Sequence, residues 1–352
     1  MSYQIRESEE PLLDFLEQLA DAGVTPYPVQ EEAILTYGSS EGGVLVCVPT
    51  GTGKTLIAEA AMFEALALGK TCYYTTPLVA LTEQKFREFQ ERFGESNVGM
   101  LTGNKRINPG APLIVAVTEI LTNRLLVRKQ DLAAGSPGDA SSSRGGAASA
   151  QGSRQHSPAP TLPDVVVFDE FHYFSDTDRG WVWESAALLL PPETKLLMLS
   201  ATVSKTVPFV AWLSKQRGRN IDLVETHERK VPLTFHWLEK LLEDAIEHLI
   251  DEARVPCLVF TFDREACFQV ANQMTSLSTG KLLTQAEQQE LQARLNALDF
   301  SKGAGRRFRK LLYKGIGVHH AGVLPKWRQL VEELFTKKLL KFVVCPETLA
   351  AG

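Results

Sequence analysis

The chain has 352 residues, 44% of them hydrophobic and 22% charged, which is enough apolar content for large cores and excludes wholesale disorder. Its formal net charge of −5 is uneven: residues 1–225 carry 19 basic against 27 acidic side chains, residues 226–352 carry 18 against 15. No apolar run approaches the roughly 18 residues of a membrane span, and the acidic, amphipathic start MSYQIRESEEPLLDFLEQL is unlike a secretory signal.

In chain order, apolar runs at 43–48, 71–76, 98–102, 113–117, 164–170, 195–201 and 221–225 predict strands. Amphipathic segments at 54–68, 79–93, 118–131, 181–190 and 206–217 predict helices between them. Near-continuous Val, Ile and Leu strands separated by helices imply a parallel sheet covered on both faces. The pattern restarts after 230, with helix 238–252, strand 256–262, helices 264–276, 285–298 and 304–313, strand 315–320, helix 325–336 and strand 340–345. Two α/β domains are therefore expected, 1–228 and 229–352. Residues 133–163 contain one Leu and no Val, Ile, Phe, Tyr, Trp or Met. Such a stretch buries too little surface to offset its ordering entropy and is expected to be a disordered insertion.

The five cysteines at 47, 72, 257, 267 and 345 show no metal-ligand spacing. Cys47, Cys257 and Cys345 lie in apolar strand-like runs and read as small core residues, as expected in a reducing, cytoplasmic setting. His319 and His320 lack acid or cysteine partners at ligand spacing and read as strand-end or interdomain residues. Residues 301–315 hold six basic side chains and no acid. Arg306, Arg307, Arg309 and Lys310 there are either a phosphate-facing patch or a solvated helix face.

The segment VPTGTGKTLIAEA (48–60) follows a predicted strand and opens a predicted helix, the context a phosphate-binding loop needs. Gly51 and Gly53 let backbone N–H groups turn toward a phosphate, and the helix N-terminus adds partial positive charge. Thr50 and Thr52 complete the loop, Lys54 is the candidate for the β/γ-phosphates, and Thr55 for Mg²⁺. The strict pattern has Gly where this chain has Val48. Farther on, VVVFDEFHYF (165–174) delivers Asp169 to a strand's carboxyl end, where open sheets bind ligands. Asp169 is the candidate second Mg²⁺ ligand, and Glu170 the candidate general base for an attacking water.

PTGTGKT, DEFH and SAT (200–202), in that order, resemble motifs I, II and III of superfamily two helicases, and DEFH marks a DExH-box member. YPVQEEAI (27–34) resembles the Q motif, TTPLVALTEQKF (75–86) motif Ia, and LTGN and VTEILTNRLL the nucleic-acid motifs that follow. RGWVWESAALLLP (179–191) and GVHHAGVLPKWRQLVEELF (317–335) are similar to the superkiller-like, exosome-associated RNA helicase branch. The resemblance implies two tandem RecA-like parallel-sheet domains that couple ATP and Mg²⁺ to 3′-to-5′ movement along single-stranded RNA or DNA, RNA being favoured, with RNA-processing partners. It implies that Gln30 reads adenine and that Ser200, Ala201, Thr202 and Thr348 couple ATP state to domain closure. It further implies that Pro77, Thr102, Gly103 and Thr118 offer backbone amides and hydroxyls to phosphates without reading sequence, and that Arg264 touches the strand.

In the resembled family the second domain continues past ETLAAG to an arginine-rich motif VI, which has no counterpart here. The second domain is thus expected to be incomplete, with an unpaired strand edge and uncovered apolar faces. ATP is expected to bind but turn over poorly, since a missing arginine finger costs about 10³–10⁵ in related phosphoryl transfers. A DNA helicase, a duplex translocase of the same superfamily and a nucleotide-gated RNA-binding module without catalysis stay open as alternatives.

Overall fold

The computed structural model describes residues 1–134, 162–201, 205–229, 232–277, 283–300 and 305–346. Most of the expected insertion at 133–163 therefore lies outside the described residues, as do Thr202 and Thr348.

The apolar runs become strands because each buries both faces. β1 (Gly43–Cys47), β2 (Cys72–Thr76), β3 (Val98–Leu101), β5 (Leu113–Val117) and β6 (Val165–Phe168) are buried at every position. With β4 (Arg106–Ile107), β7 (Lys195–Ser200) and β8 (Asp222–Glu225) they form an eight-stranded sheet, ordered β4-β3-β5-β2-β6-β7-β1-β8. All pairs are parallel except β3 with β4. The strand period of two splits the side chains between two cores. Val44 and Val46 face one, with Phe15, Tyr37, Phe63 and Phe89. Leu45 and Cys47 face the other, with Leu121, Trp183 and Leu213.

The first core is covered by α1 (Pro11–Asp21), α2 (Pro28–Ser39), α3 (Lys54–Ala67) and α4 (Val79–Phe93). The second is covered by α5 (Thr118–Ala134), α6 (Gly180–Leu189) and α7 (Thr206–Arg217). A buried guanidinium closes this layer. Arg217 donates to the carbonyls of Ala187 (2.5 Å), Leu190 (3.3 Å), Pro191 (2.8 Å) and Thr194 (2.8 Å). Burial pushes its pKa down to about 10.

The chain divides into two compact units, Met1–Leu233 and Thr234–Gly352. The second contains α8 (Leu242–Asp251), β9 (Cys257–Phe260), α9 (Arg264–Met274), α10 (Gln285–Asn296), α11 (Gly305–Tyr313), β10 (Ile316–Val318), α12 (Pro325–Thr336) and β11 (Phe342–Cys345). Its three parallel strands run β10-β11-β9. Trp327 stacks on Phe300 at 4.6 Å within its core. A capping box between Thr284 and Glu287 starts α10. Apolar side chains stand exposed at Phe235, Trp237 and Phe262. The helix expected over 238–252 begins only at Leu242, because Leu241 is extended, and Glu243 and Asp244 fill the first turn instead.

Both units are thus α/β, a mostly parallel sheet and a smaller parallel one, as RecA-like domains are. Among the described residues no helix is long and apolar enough to cross a membrane.

Candidate functional site on the carboxyl edge of the large sheet

Strand order decides which segments meet. β7 lies between β1 and β6, so three chain ends emerge side by side: the loop after β1, Ser200 and Ala201 at the end of β7, and Asp169 and Glu170 after β6. β2, β5 and β3 follow on the other side, and their ends carry Pro77, Thr118 and Thr102.

The loop after β1 has left-handed backbone at Gly51 (φ 85°) and Gly53 (φ 70°), which a residue without Cβ adopts freely. A Cβ on Gly53 would lie 2.5 Å from Gln30 Nε2. Gln30 is buried and donates to the carbonyls of Thr52 and Gly53 at 2.9 Å each, while its oxygen accepts from the Tyr27 N–H at 2.8 Å. The expected adenine-reading amide is therefore occupied in this structure: both protons and the oxygen brace the loop and α2, as a buried amide must be satisfied. The Thr52 hydroxyl donates to Pro49 O at 2.7 Å. Thr50 and Gly51 are exposed at the loop tip. The Val48 N–H bonds to Ser200 O at 3.0 Å, joining the loop's root to the end of β7.

Lys54 opens α3 with Nζ 3.3 Å from Val48 O. Burial pulls its ammonium below the usual lysine range, against the pull of Glu170 and Asp169. Asp169 is buried and accepts from the Tyr74 hydroxyl at 2.5 Å and from the Glu170 N–H at 2.9 Å. Burial raises its carboxyl, which the Tyr74 hydrogen bond partly offsets. Glu170 has left-handed backbone (φ 50°), an uncommon conformation for a residue with a side chain. Burial would raise its carboxyl too, but His172, with Nδ1 3.2 Å from Oε2, together with Lys54 and Lys85, outweighs burial and holds it below the usual range.

Lys85 escaped the sequence reading. Its Nζ donates to the Thr55 hydroxyl at 2.9 Å and to Glu88 Oε2 at 3.0 Å. A legible signal existed: Leu81, Thr82, Lys85, Phe86 and Phe89 form the buried stripe of α4, and a lysine within such a stripe needs a partner inside. Thr55 and Asp169 offer hard oxygen donors, the type Mg²⁺ takes. Among the described residues no group of three or more His, Cys, Asp or Glu is placed to hold a metal. The donor set thus fits Mg²⁺, an ion that keeps several waters and takes substrate phosphates as ligands.

On the other half of the edge the polar groups turn inward. Thr118 is fully buried and donates to Thr76 O at 3.3 Å. Thr102 is buried, and its hydroxyl accepts from the Lys105 N–H at 3.1 Å, closing the turn between β3 and β4. In this structure both hydroxyls tie the edge together, and Gly103 is the exposed member of its turn. Pro77 is buried directly after β2.

In the second unit, Arg264 is exposed at the start of α9 and lines a groove of about 500 Å³ with Phe262, Asp263, Glu265, Ala321 and Pro346. The guanidinium of Arg307 lies 5.0 Å from the Phe268 ring centre, and Arg309 bonds to Asn296 Oδ1 at 2.8 Å. Arg306 and Lys310 are exposed. His319 pairs with Glu332 at 2.6 Å, and His320 Nδ1 accepts from the Gly322 N–H at 3.1 Å.

Comparison with known proteins fits this arrangement. The chain is 31% identical over 389 residues to the Arabidopsis thaliana protein named DExH-box ATP-dependent RNA helicase DExH15 chloroplastic, which covers 88% of this chain and 31% of that protein. It is 32% identical over 374 residues to a probable helicase HelY of Mycobacterium tuberculosis (88% of this chain, 38% of the relative). It is 29% identical over 394 residues to human Superkiller complex protein 2 (93% and 29%). The chain thus spans about a third of the length of the curated relatives it matches. The family model described as DEAD/DEAH box helicase matches residues 27–209, from the start of the Gln30 helix to beyond the end of β7. That interval supplies every strand of the large sheet except β8, and the chain belongs to the DEAD/DEAH box helicase family.

Proposed function

We propose that this chain is the ATP-hydrolysing part of an RNA helicase that moves 3′-to-5′ along single-stranded RNA. The observation that carries the reading is the sheet order. It sets a Gly-rich loop with Lys54 and Thr55 two strands from Asp169 and Glu170, beside three loops suited to a strand's phosphates. A relative named as an RNA helicase supports RNA over DNA. Five free cysteines support work in a reducing compartment such as the cytoplasm.

In the mechanism, loop amides and Lys54 hold the β/γ-phosphates of ATP. Thr55 and Asp169 would hold Mg²⁺, which would supply charge neutralisation on the phosphate oxygens. Glu170 accepts a proton from water as its oxygen bonds the γ-phosphorus and the β–γ bridging P–O bond breaks. His172, Lys54 and Lys85 favour its ionised form, the form that accepts a proton, at the cost of some basicity. Gln30 holds the loop, and Ser200 and Ala201 transmit phosphate state along β7. Backbone groups near Pro77, Gly103 and Thr118, with Arg264 in the second unit, take the RNA backbone.

The test is ATP turnover by the 352-residue chain with and without single-stranded RNA, beside Glu170→Gln, and displacement of duplexes with 3′ or 5′ overhangs. RNA-stimulated turnover abolished by Glu170→Gln and displacement from 3′ overhangs support the reading; the turnover is expected to be slow, and rapid turnover by this chain overturns the expected impairment. Turnover indifferent to RNA, or preference for a 5′ overhang, overturns the corresponding part.

A further inference from the structure

The stretch RGWVWE has no role in the chemistry described so far, yet its first residue touches two of the loops at the sheet edge. The Arg179 guanidinium donates to Pro77 O at 3.0 Å and pairs closely with the Glu119 carboxylate. Pro77 follows β2, and Glu119 lies in the first turn of α5, directly after β5. One guanidinium therefore joins two of the three loops on the nucleic-acid half of the edge.

The same residue is tied back to the nucleotide half. A 3-10 helix, Phe171–Ser175, leads directly from Glu170 to Asp176. Asp176 Oδ1 accepts the N–H groups of Asp178 (2.9 Å) and Arg179 (2.7 Å), and its carbonyl accepts from Gly180 (2.9 Å). Gly180 permits the tight passage: a Cβ there would sit 2.3 Å from Phe174 O. One turn along α6, Trp183 is fully buried, stacks on Tyr173 at 5.6 Å and lies 5.7 Å under the Arg179 guanidinium. The Thr122 hydroxyl donates to Val182 O at 3.0 Å, fastening α5 to α6. Both bonds leave one nitrogen, Nη2, whose two protons the rigid guanidinium plane aims in fixed directions, as a compact ammonium on a flexible stem does not.

We infer that Arg179 is a positioning residue that links the Glu170 segment to the strand-binding loops, so that RNA bound near Pro77 and Glu119 sets the placement of the general base. The inference rests on the proposed helicase function. RNA lifting or pressing the Pro77 loop moves the carbonyl that Arg179 holds. The hydrogen-bonded Asp176–Gly180 turn passes that displacement to the short helix that follows Glu170.

The experiment compares the full chain with Arg179→Lys, Arg179→Ala, Glu119→Gln and the double variant Arg179→Ala/Glu119→Gln. Binding of a fluorescent ATP analogue, anisotropy of a labelled single-stranded oligoribonucleotide and turnover against RNA concentration are read for each. Expected are a weakening of RNA binding and a loss of RNA stimulation of about tenfold in both Arg179 variants, with ATP affinity within about twofold of the parent and the double variant no worse than Arg179→Ala, as coupled partners are non-additive. A melting midpoint is recorded for each, and Arg179→Lys keeps charge and bulk if Arg179→Ala unfolds. Parent-like RNA affinity and stimulation in Arg179→Lys overturn the inference while the helicase reading stands. ATP affinity falling in step with RNA affinity overturns it in favour of a merely structural role. A parent chain that binds neither ATP nor RNA overturns the helicase reading and this inference with it.

Discussion

On the β1–β7–β6 half of the edge, ionisable groups crowd together: Glu170 and Asp169 pull on Lys54, and Lys85 pulls on both carboxylates. On the β2–β5–β3 half, Thr118 and Thr102 spend their hydroxyls on backbone partners. A phosphoryl transfer needs preorganised charge where charge develops. A grip on a polymer backbone needs only amides in a fixed frame, since phosphate contacts position without reading sequence. The first half is therefore costly to build and intolerant of substitution, while the second depends on the frame that holds it.

The sharpest way to break this contrast is Glu170→Gln beside Thr118→Val. Glu170→Gln is expected to lower RNA-stimulated turnover by about 10²–10⁴, the usual weight of a general base. Thr118→Val is expected to leave turnover within a factor of a few. Equal losses in steady-state assays would erase the distinction.

Next in size is Lys85→Met. Removing the cation from the Thr55 hydroxyl frees an oxygen donor and leaves Asp169 and Glu170 less compensated, so Mg²⁺ is drawn in more strongly. The Mg²⁺ concentration that half-saturates binding of a fluorescent ATP analogue should fall by about tenfold at low salt, one pKa unit's worth of interaction. A rise instead would make Lys85 a helper of the metal rather than its competitor.

Thr118→Val itself should cost about 1 kcal/mol of stability, the net worth of one internal hydrogen bond. It would be read as a lower urea midpoint at unchanged slope.

The smallest effect separates the carboxylates by sign. Asp169 is raised, so between about pH 3.9, its unfolded value, and its native pKa the folded chain holds more protons than the unfolded one. Its contribution to stability therefore falls as pH rises through that window. Glu170 is lowered, so its contribution is present above its unfolded value and is lost as pH falls through the native one. Melting curves of Asp169→Asn against the parent should lose the first slope and keep the second. A parent-like pH profile in that variant would show that Asp169 is not perturbed by burial.

Much of this was legible in the residues. Strands buried on both faces announce themselves as unbroken apolar runs, and the loop at 48–55 declares its chemistry by Gly spacing. β4 escaped because Arg106 and Ile107 are two exposed residues with no alternation to read. The inward turn of Thr102 and Thr118 was hidden because a strand-end hydroxyl can bond outward or back, and only packing decides. The reach of Arg179 was invisible for another reason: its partners lie 102 and 60 residues away, and strand order alone brings them together. Gln30 shows the converse, a residue the sequence singles out whose hydrogen bonds could be assigned only with the loop in place.

α6 is gripped at both ends by guanidinium groups. Arg179 stands just before its start and holds Pro77 and Glu119, while Arg217 at the end of α7 clasps the carbonyls of Ala187 and Leu190 at its finish. A ten-residue rod held this way behaves as a strut. Its own backbone amides should be among the last in the sheet domain to exchange with deuterium. The two guanidinium contacts stand some 15 Å apart along it, at about 1.5 Å per residue, so the Pro77 loop and the end of α7 are fastened to opposite ends of one helix.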